Sequence, residues 1–231
     1  MEEFAEELIA SLNCGTTTIP IFGGITVATS VVITWCIMLV LMVLTLIFVR
    51  NLKVIPTSKV QIVIEMLVEF INNFFTDILG KEGKRYIPYL GTVLIYIVVA
   101  NIIGVFGVTP PTKDLNVTVA LSVMSILLIE YSGIHQKGIK GWLKSFVEPM
   151  PILLPINILE IFIRPLSLCM RLFGNVLGAF VVMELIKMCV PVGAPMVASV
   201  YFDFFDGAIQ AYVFVFLTSL FMKEKMEMEE E

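Results

Sequence analysis

Charged residues are scarce in this 231-residue sequence, at 15%, and hydrophobic residues reach 58%. Soluble domains carry about a quarter charged residues. A soluble fold of this composition would need an oversized core with almost no surface, so the composition argues against one. The acidic residues of the chain cluster at its two ends, and the chain has no stripe of basic residues. A nucleic-acid partner is therefore not expected.

Residues that bind metals or carry covalent chemistry are also few. The single histidine, His135, lies in a basic loop, and we find no nucleophile, metal cluster or phosphate loop. No lysine or arginine precedes Arg50, so a signal peptide, which needs a basic start, is not expected. We therefore predict no catalytic residue, no metal and no cofactor. The four cysteines lack metal or redox spacing and are interpreted as small apolar side chains: Cys14, Cys36, Cys169 and Cys189.

Long apolar runs predict an all-α, multi-pass integral membrane protein, with residues 1–231 forming a single membrane domain. Three early transmembrane helices, one interfacial helix and a C-terminal hairpin of two long tilted helices are expected. Segment 60–79 is the interfacial helix, because its polar residues recur on one face. A sixth span, paired with another subunit, is the alternative for that segment. The predicted spans are 25–49, 87–108, 116–131, 156–189 and 200–222.

The basic residues give these spans an orientation. With five crossings, the loops that contain most lysines and arginines fall on one side, and the other side keeps only Lys113. By the positive-inside rule the basic side is cytoplasmic. The N-terminus is then outside and the C-terminus inside.

Arg171 stands out in the fourth apolar segment, because a charge at membrane depth costs several kcal/mol unless it is paired or hydrated. As one helix, the 34 residues 156–189 would span roughly 51 Å, which predicts a steep tilt. Glu160 shares the face of Arg171 but lies about 16 Å away along the helix. The partner of Arg171 must therefore come from elsewhere. Gly174 and Gly178 leave room for a close approach beside it.

The final helix carries a polar stripe. Asp203, Asp206 and Gln210 lie at positions i, i+3 and i+7 of an otherwise apolar, aromatic segment. Packed against the preceding helix, this stripe would line a water-filled passage. Capping of a helix start is the alternative role for the two aspartates.

Two runs of residues in the C-terminal part of the sequence resemble the signatures of a known family. The run 164–175 (RPLSLCMRLFGN) closely resembles the signature of subunit a of rotary F-type ATP synthases, and 209–214 (IQAYVF) resembles its second signature. Segment 56–65 is also similar. The resemblance implies a non-catalytic stator subunit that provides two half-channels for protons beside a rotating ring of c subunits. It also implies b subunits of the peripheral stalk and the lipid bilayer as partners, in a bacterial plasma membrane.

The same resemblance assigns roles to individual residues. Arg171 matches the essential arginine that faces the ring carboxylate. Asn175 and Gln210 match polar positions near it, and Glu160 matches an acidic residue lining a half-channel. Phe180, however, stands nine residues after the arginine, where proton-driven members often carry glutamate or histidine.

A second departure comes seven residues before the glutamine, where Asp203 replaces the histidine of some members. These two differences leave the outer half-channel undefined and keep a sodium-translocating synthase as the alternative. A secondary transporter with its substrate site at Arg171 is a competing hypothesis. It should show an internal repeat of broken helices, and we find none. A structural scaffold does not explain an unpaired arginine at depth.

Overall fold

The computed structural model describes residues 16–19, 25–50, 58–80, 82–145, 152, 154–189 and 193–226. Within these residues the chain is helical apart from residues 107–110, a few turn residues and one antiparallel hairpin, in which Thr16 pairs with Ala28 and Ile19 with Ile25. The all-α, multi-pass fold class is confirmed. The hairpin was not predicted, and its second strand takes the first four residues of the predicted first span.

Seven α-helices follow the two strands. The strands are β1 (Thr16–Ile19) and β2 (Ile25–Ala28). The helices are α1 (Thr29–Val49), α2 (Lys59–Leu79), α3 (Ile87–Ile102), α4 (Leu115–Lys144), α5 (Leu154–Cys189), α6 (Ala194–Ser199) and α7 (Gly207–Met226). Short 3₁₀ turns cover Glu82–Tyr86, Ile103–Phe106 and Pro111–Lys113, and a π-helix covers Val200–Asp206.

Five described segments are long and apolar enough to cross a bilayer, and α2 is not among them. The third crossing belongs to a longer helix than the predicted 116–131, since α4 continues to Lys144 with a kink at Gly138. Hydrophobicity marks only the part of a helix that lies in lipid. Backbone hydrogen bonding carries the helix beyond the predicted apolar span, whose bounds in the membrane stay a prediction.

Helix α5 is continuous over 36 residues and contains Pro165. At 1.5 Å per residue it is about 54 Å long, well beyond a hydrocarbon core of about 30 Å. A steep tilt in the membrane stays a prediction.

Helix α2 is amphipathic in the expected way. Its C-terminal half buries Ile71, Phe75 and Leu79, whereas Glu69 and Asp77 are exposed. Its interfacial placement is not tested and stays a prediction.

The chain folds as two compact units, and α1 and α5 each contribute residues to both of them. The first unit comprises residues 1–41, 96–118 and 169–212, and its described core includes Ile97, Ala100 and Leu172. The second comprises 42–95, 119–168 and 213–231, with Phe75, Leu90, Ile129 and Phe214 in its core.

Candidate functional site

Arg171 is the exposed cation that the sequence predicted. It lies on α5, and among the described residues it makes no hydrogen bond or ion pair. Gly174 and Gly178 follow on the same helix and are exposed. A Cβ atom added at either glycine would meet no atom within 4 Å. The helix therefore presents a guanidinium beside open, small-residue surface.

Arg164, seven residues earlier on α5, has the opposite environment. It is only 9% exposed and belongs to the second unit. Its Nη2 donates to Glu160 Oε2 at 2.5 Å and to Glu224 Oε1 at 2.6 Å. The guanidinium also lies over the Phe221 ring, 4.8 Å from the centroid. Two carboxylates and an aromatic face compensate its burial, so Arg164 is a packing residue.

Glu160 therefore lies in an ion pair with Arg164, as the i, i+4 spacing permits. The carboxylate does not line the polar cavity described next. The role in a half-channel that the resemblance assigns to Glu160 stays a prediction.

The first unit contains a cavity of about 290 Å³. Four of the sequence-predicted site residues line it, drawn from α5, the π-helix and α7: Asn175, Asp203, Asp206 and Gln210. The lining also includes Asn101, Lys113, Lys187 and Ser199. The polar stripe of the last helical segment and the polar residue of α5 thus face one space.

Hydrogen bonds hold these side chains in place. Asn175 Nδ2 donates to Asp206 Oδ2 at 2.5 Å, which links α5 to the π-helix. Ser199 Oγ donates to Asp203 Oδ2 at 2.6 Å. Gln210 Oε1 is buried without a hydrogen-bond partner in the described part of the chain. An acceptor of this kind is available to a water molecule or a cation.

The helix-cap alternative for the aspartates fits the structure poorly. Asp203 and Asp206 lie inside the π-helix, several residues after α6 begins at Ala194 and before α7 begins at Gly207. Among the described hydrogen bonds, both carboxylates accept from side chains. Single π-turns are frequent at functional sites, because the wider turn redirects side chains.

Sequence reasoning missed Asn101, which fixes one wall of the cavity. Its Nδ2 donates to the Gly207 carbonyl at 3.0 Å, and its Oδ1 accepts from Thr112 Oγ1 at 2.8 Å. A Cβ on Gly207 would lie 2.8 Å from the Asn101 Cβ, so only glycine permits this contact. An asparagine within the apolar segment 87–108 was the available signal.

Sequence reasoning also treated Lys113 only as a charge on the outer side. In the structure it is 6% exposed, and its Nζ lies 3.5 Å from the centroid of the Phe180 ring. The position where some family members carry glutamate or histidine is thus covered by a lysine from another part of the chain. On α5, Lys187 Nζ donates to Glu184 Oε1 at 2.8 Å, as the i, i+3 spacing permits.

Five described apolar segments of membrane-spanning length, an arginine without a partner in the described residues and a polar cavity in the same unit define an ion-conducting membrane protein. The family model of the ATP synthase A chain matches residues 31–223. The chain therefore belongs to the ATP synthase subunit a family.

Two relatives support the assignment. ATP synthase subunit a of Moorella thermoacetica is 37% identical over 197 residues, covering 85% of this chain and 89% of the relative. The sodium-ion-specific subunit a of Propionigenium modestum is 32% identical over 216 residues, covering 87% and 74%. The chain is thus a stator subunit of a bacterial ATP synthase, and it works in the membrane sector of that complex.

Proposed function

We propose that Arg171 is the fixed charge that meets the ion-carrying carboxylate of a rotating ring of c subunits. The observation that carries this proposal is the contrast on α5: Arg164 is buried and doubly paired, whereas Arg171 is exposed and has no partner in the described part of the chain. A charge within an apolar segment is costly unless it is hydrated or paired with a partner. A ring carboxylate supplies one of opposite sign.

The chemistry of the pair suits ion release. A guanidinium stays charged under all physiological conditions and presents a planar fork of donors. At about 4 Å and an effective dielectric of about 20, its attraction to a carboxylate is about 4 kcal/mol. That attraction favours the carboxylate without its cation, so the ion leaves as each ring site arrives. The same fixed charge opposes direct passage of cations between the two half-channels.

The cavity lined by Asp203, Asp206 and Gln210 serves as one of these half-channels in our proposal. Carboxylates in a recess of low dielectric raise the local concentration of cations. The unpartnered Gln210 oxygen and the Asn175 amide give a passing ion or water further polar contacts. Exposed Gly174 and Gly178 leave the surface beside Arg171 open for the ring.

We take the proton as the coupling ion, with sodium as the second candidate. The relative from Propionigenium modestum, which is sodium-ion specific by name, is the observation that favours sodium. Phe180 agrees with it, because this side chain cannot exchange a proton. Rates of ATP hydrolysis measured with and without sodium at fixed pH distinguish the two: stimulation by sodium would reject the proton.

The remaining parts of the proposal concern assembly. By the positive-inside rule, the distribution of basic residues supports an N-terminus outside and a C-terminus in the cytoplasm. The b subunits of the peripheral stalk hold this chain fixed against the ring. No bond-making chemistry is assigned to this chain, whose contribution is positioning and charge.

The test uses the whole ATP synthase in proteoliposomes. Replacement of Arg171 by alanine should lower ion-driven ATP synthesis at least about 100-fold, while the complex still assembles. Arg171→Lys should restore only part of the activity, because a point charge lacks the planar fork. Leu177→Ala, a change of size without charge on the same helix, is the control. Near-normal synthesis by assembled Arg171→Ala complexes would refute the proposal.

A further inference from the structure

Lys113 is a buried cation in the wall of the cavity. It ends the 3₁₀ turn Pro111–Lys113 between α3 and α4. The ammonium lies over the face of Phe180, at 3.5 Å from the ring centroid, and the residue is 6% exposed. A cation over an aromatic face is stabilised by the ring quadrupole, more strongly when both are desolvated.

The turn around Lys113 is held on both sides. Thr112 donates to Asn101, and Asp114 accepts a hydrogen bond from Ser30 Oγ. Asp114 Oδ1 also accepts from the backbone nitrogen of Asn116 at 2.9 Å. These contacts fix the backbone before and after the lysine. Burial and the contact with Phe180 hold the ammonium in the cavity wall.

The cavity contains four ionisable side chains: Lys113, Lys187, Asp203 and Asp206. Lys187 is paired with Glu184 of its own helix, which offsets its charge. Lys113 is the other positive charge in the lining of the cavity. Without it, the cavity would present two carboxylates to a passing cation.

We propose that Lys113 is a specificity-determining residue that weakens binding of the coupling cation in the cavity. This inference rests on the proposed role of the cavity as an ion path. A conducting site must bind an ion well enough to admit it and weakly enough to release it. Lys113 weakens binding of the ion whether it repels the ion directly or competes with the ion for a carboxylate. Its removal should therefore tighten binding in either case.

The experiment compares variants of the whole ATP synthase in proteoliposomes. Lys113→Met removes the charge and keeps the length, Lys113→Gln keeps a polar end, and Lys113→Arg keeps the charge. Initial rates of ATP synthesis are measured against proton concentration at fixed sodium, and against sodium at fixed pH, on the side the cavity serves. Lys140→Met, which removes an exposed lysine in the second unit, is the control.

For the neutral variants we expect the half-saturating concentration of the coupling ion to fall about three- to ten-fold. Lys113→Arg and Lys140→Met should stay within about two-fold of the parent protein. Assembled neutral variants with an unchanged half-saturating concentration would overturn the inference. The inference would also be overturned if Lys113→Arg were the only Lys113 variant that assembled, because the lysine would then be a packing residue.

Arg171→Ala in the same assay separates this inference from the proposed function. If that variant keeps ion-driven synthesis, the proposed function fails. If it loses synthesis while Lys113→Met leaves the half-saturating concentration unchanged, only the role of Lys113 fails.

Discussion

Gly178→Leu tests whether the surface beside Arg171 meets another protein. Gly178 lies seven residues after Arg171 on α5, is exposed, and has open space within 4 Å of an added Cβ. Among the described residues, the first added atom of the larger side chain therefore meets no obstacle. Replacing glycine in a helix gains about 1 kcal/mol in helix propensity. The substitution should leave the stability of the chain unchanged or raise it.

Function should respond in the opposite direction. A ring that packs closely over Gly178 must accommodate the extra side chain, and overpacking costs about 1–3 kcal/mol. Applied to the barrier for ring passage, this corresponds to about a 5- to 150-fold loss of rate. We expect at least a ten-fold fall in ion-driven ATP synthesis in proteoliposomes, at normal levels of assembled complex.

Two further variants calibrate this result. Leu177→Ala, one residue round the helix, should have a smaller effect on synthesis. Gly207→Ala should lower the thermal stability of the complex, because the new Cβ would lie 2.8 Å from the Asn101 Cβ. Full ATP synthesis by Gly178→Leu would show that this face of α5 does not meet the ring, and the reasoning from the two glycines would be wrong.

Three other predictions address orientation, the cavity and packing. In a background without native cysteines, Glu69→Cys and Asp77→Cys should both react with a membrane-impermeant thiol reagent from the cytoplasmic side; labelling of the second from outside would indicate a sixth crossing. Asp206→Asn should lower ion-driven synthesis at least about ten-fold with normal assembly, and an unchanged rate would remove the cavity from the ion path. Glu224→Ala should destabilise the complex by about 1 kcal/mol, less than the roughly 1.5–3 kcal/mol of a hydrogen bond to a charged group, because the Glu224 side chain is 57% exposed. Equal melting temperatures would show that Glu160 alone satisfies Arg164.

Much of the membrane fold was predictable, because apolar length and charge are read directly from the sequence. The five crossing segments and the exclusion of α2 follow from hydropathy. The stripe of Asp203, Asp206 and Gln210 was also predictable, because residues at those spacings share one side of a helix. The π-helix under that stripe was not predictable, since its wider turn is set by tertiary packing.

The long-range contacts could not be predicted from patterns in the sequence. Lys113 meets Phe180 from 67 residues away, and Asn101 meets Gly207 across 106 residues. Periodicity and spacing describe neighbours on one element, so they place such residues on a face without naming a partner. The cation in the cavity wall therefore emerged only from the structure.

The two arginines of α5 show which features of the structure can be predicted from the sequence. Arg164 has a glutamate one turn before it, so its compensation is partly local and visible in the sequence. The positions three and four residues either side of Arg171 are Ser167, Leu168, Gly174 and Asn175, none of them acidic. A charge in an apolar helix with no local compensation costs several kcal/mol. That cost is offset by water, by a carboxylate from a distant part of the same chain, as Glu224 does for Arg164, or by a partner outside the chain. The missing acid near Arg171 agrees with the third of these, an interface. The structure strengthens this argument, because folding brings Glu160 and Glu224 to Arg164 and, in the described residues, brings no carboxylate to Arg171.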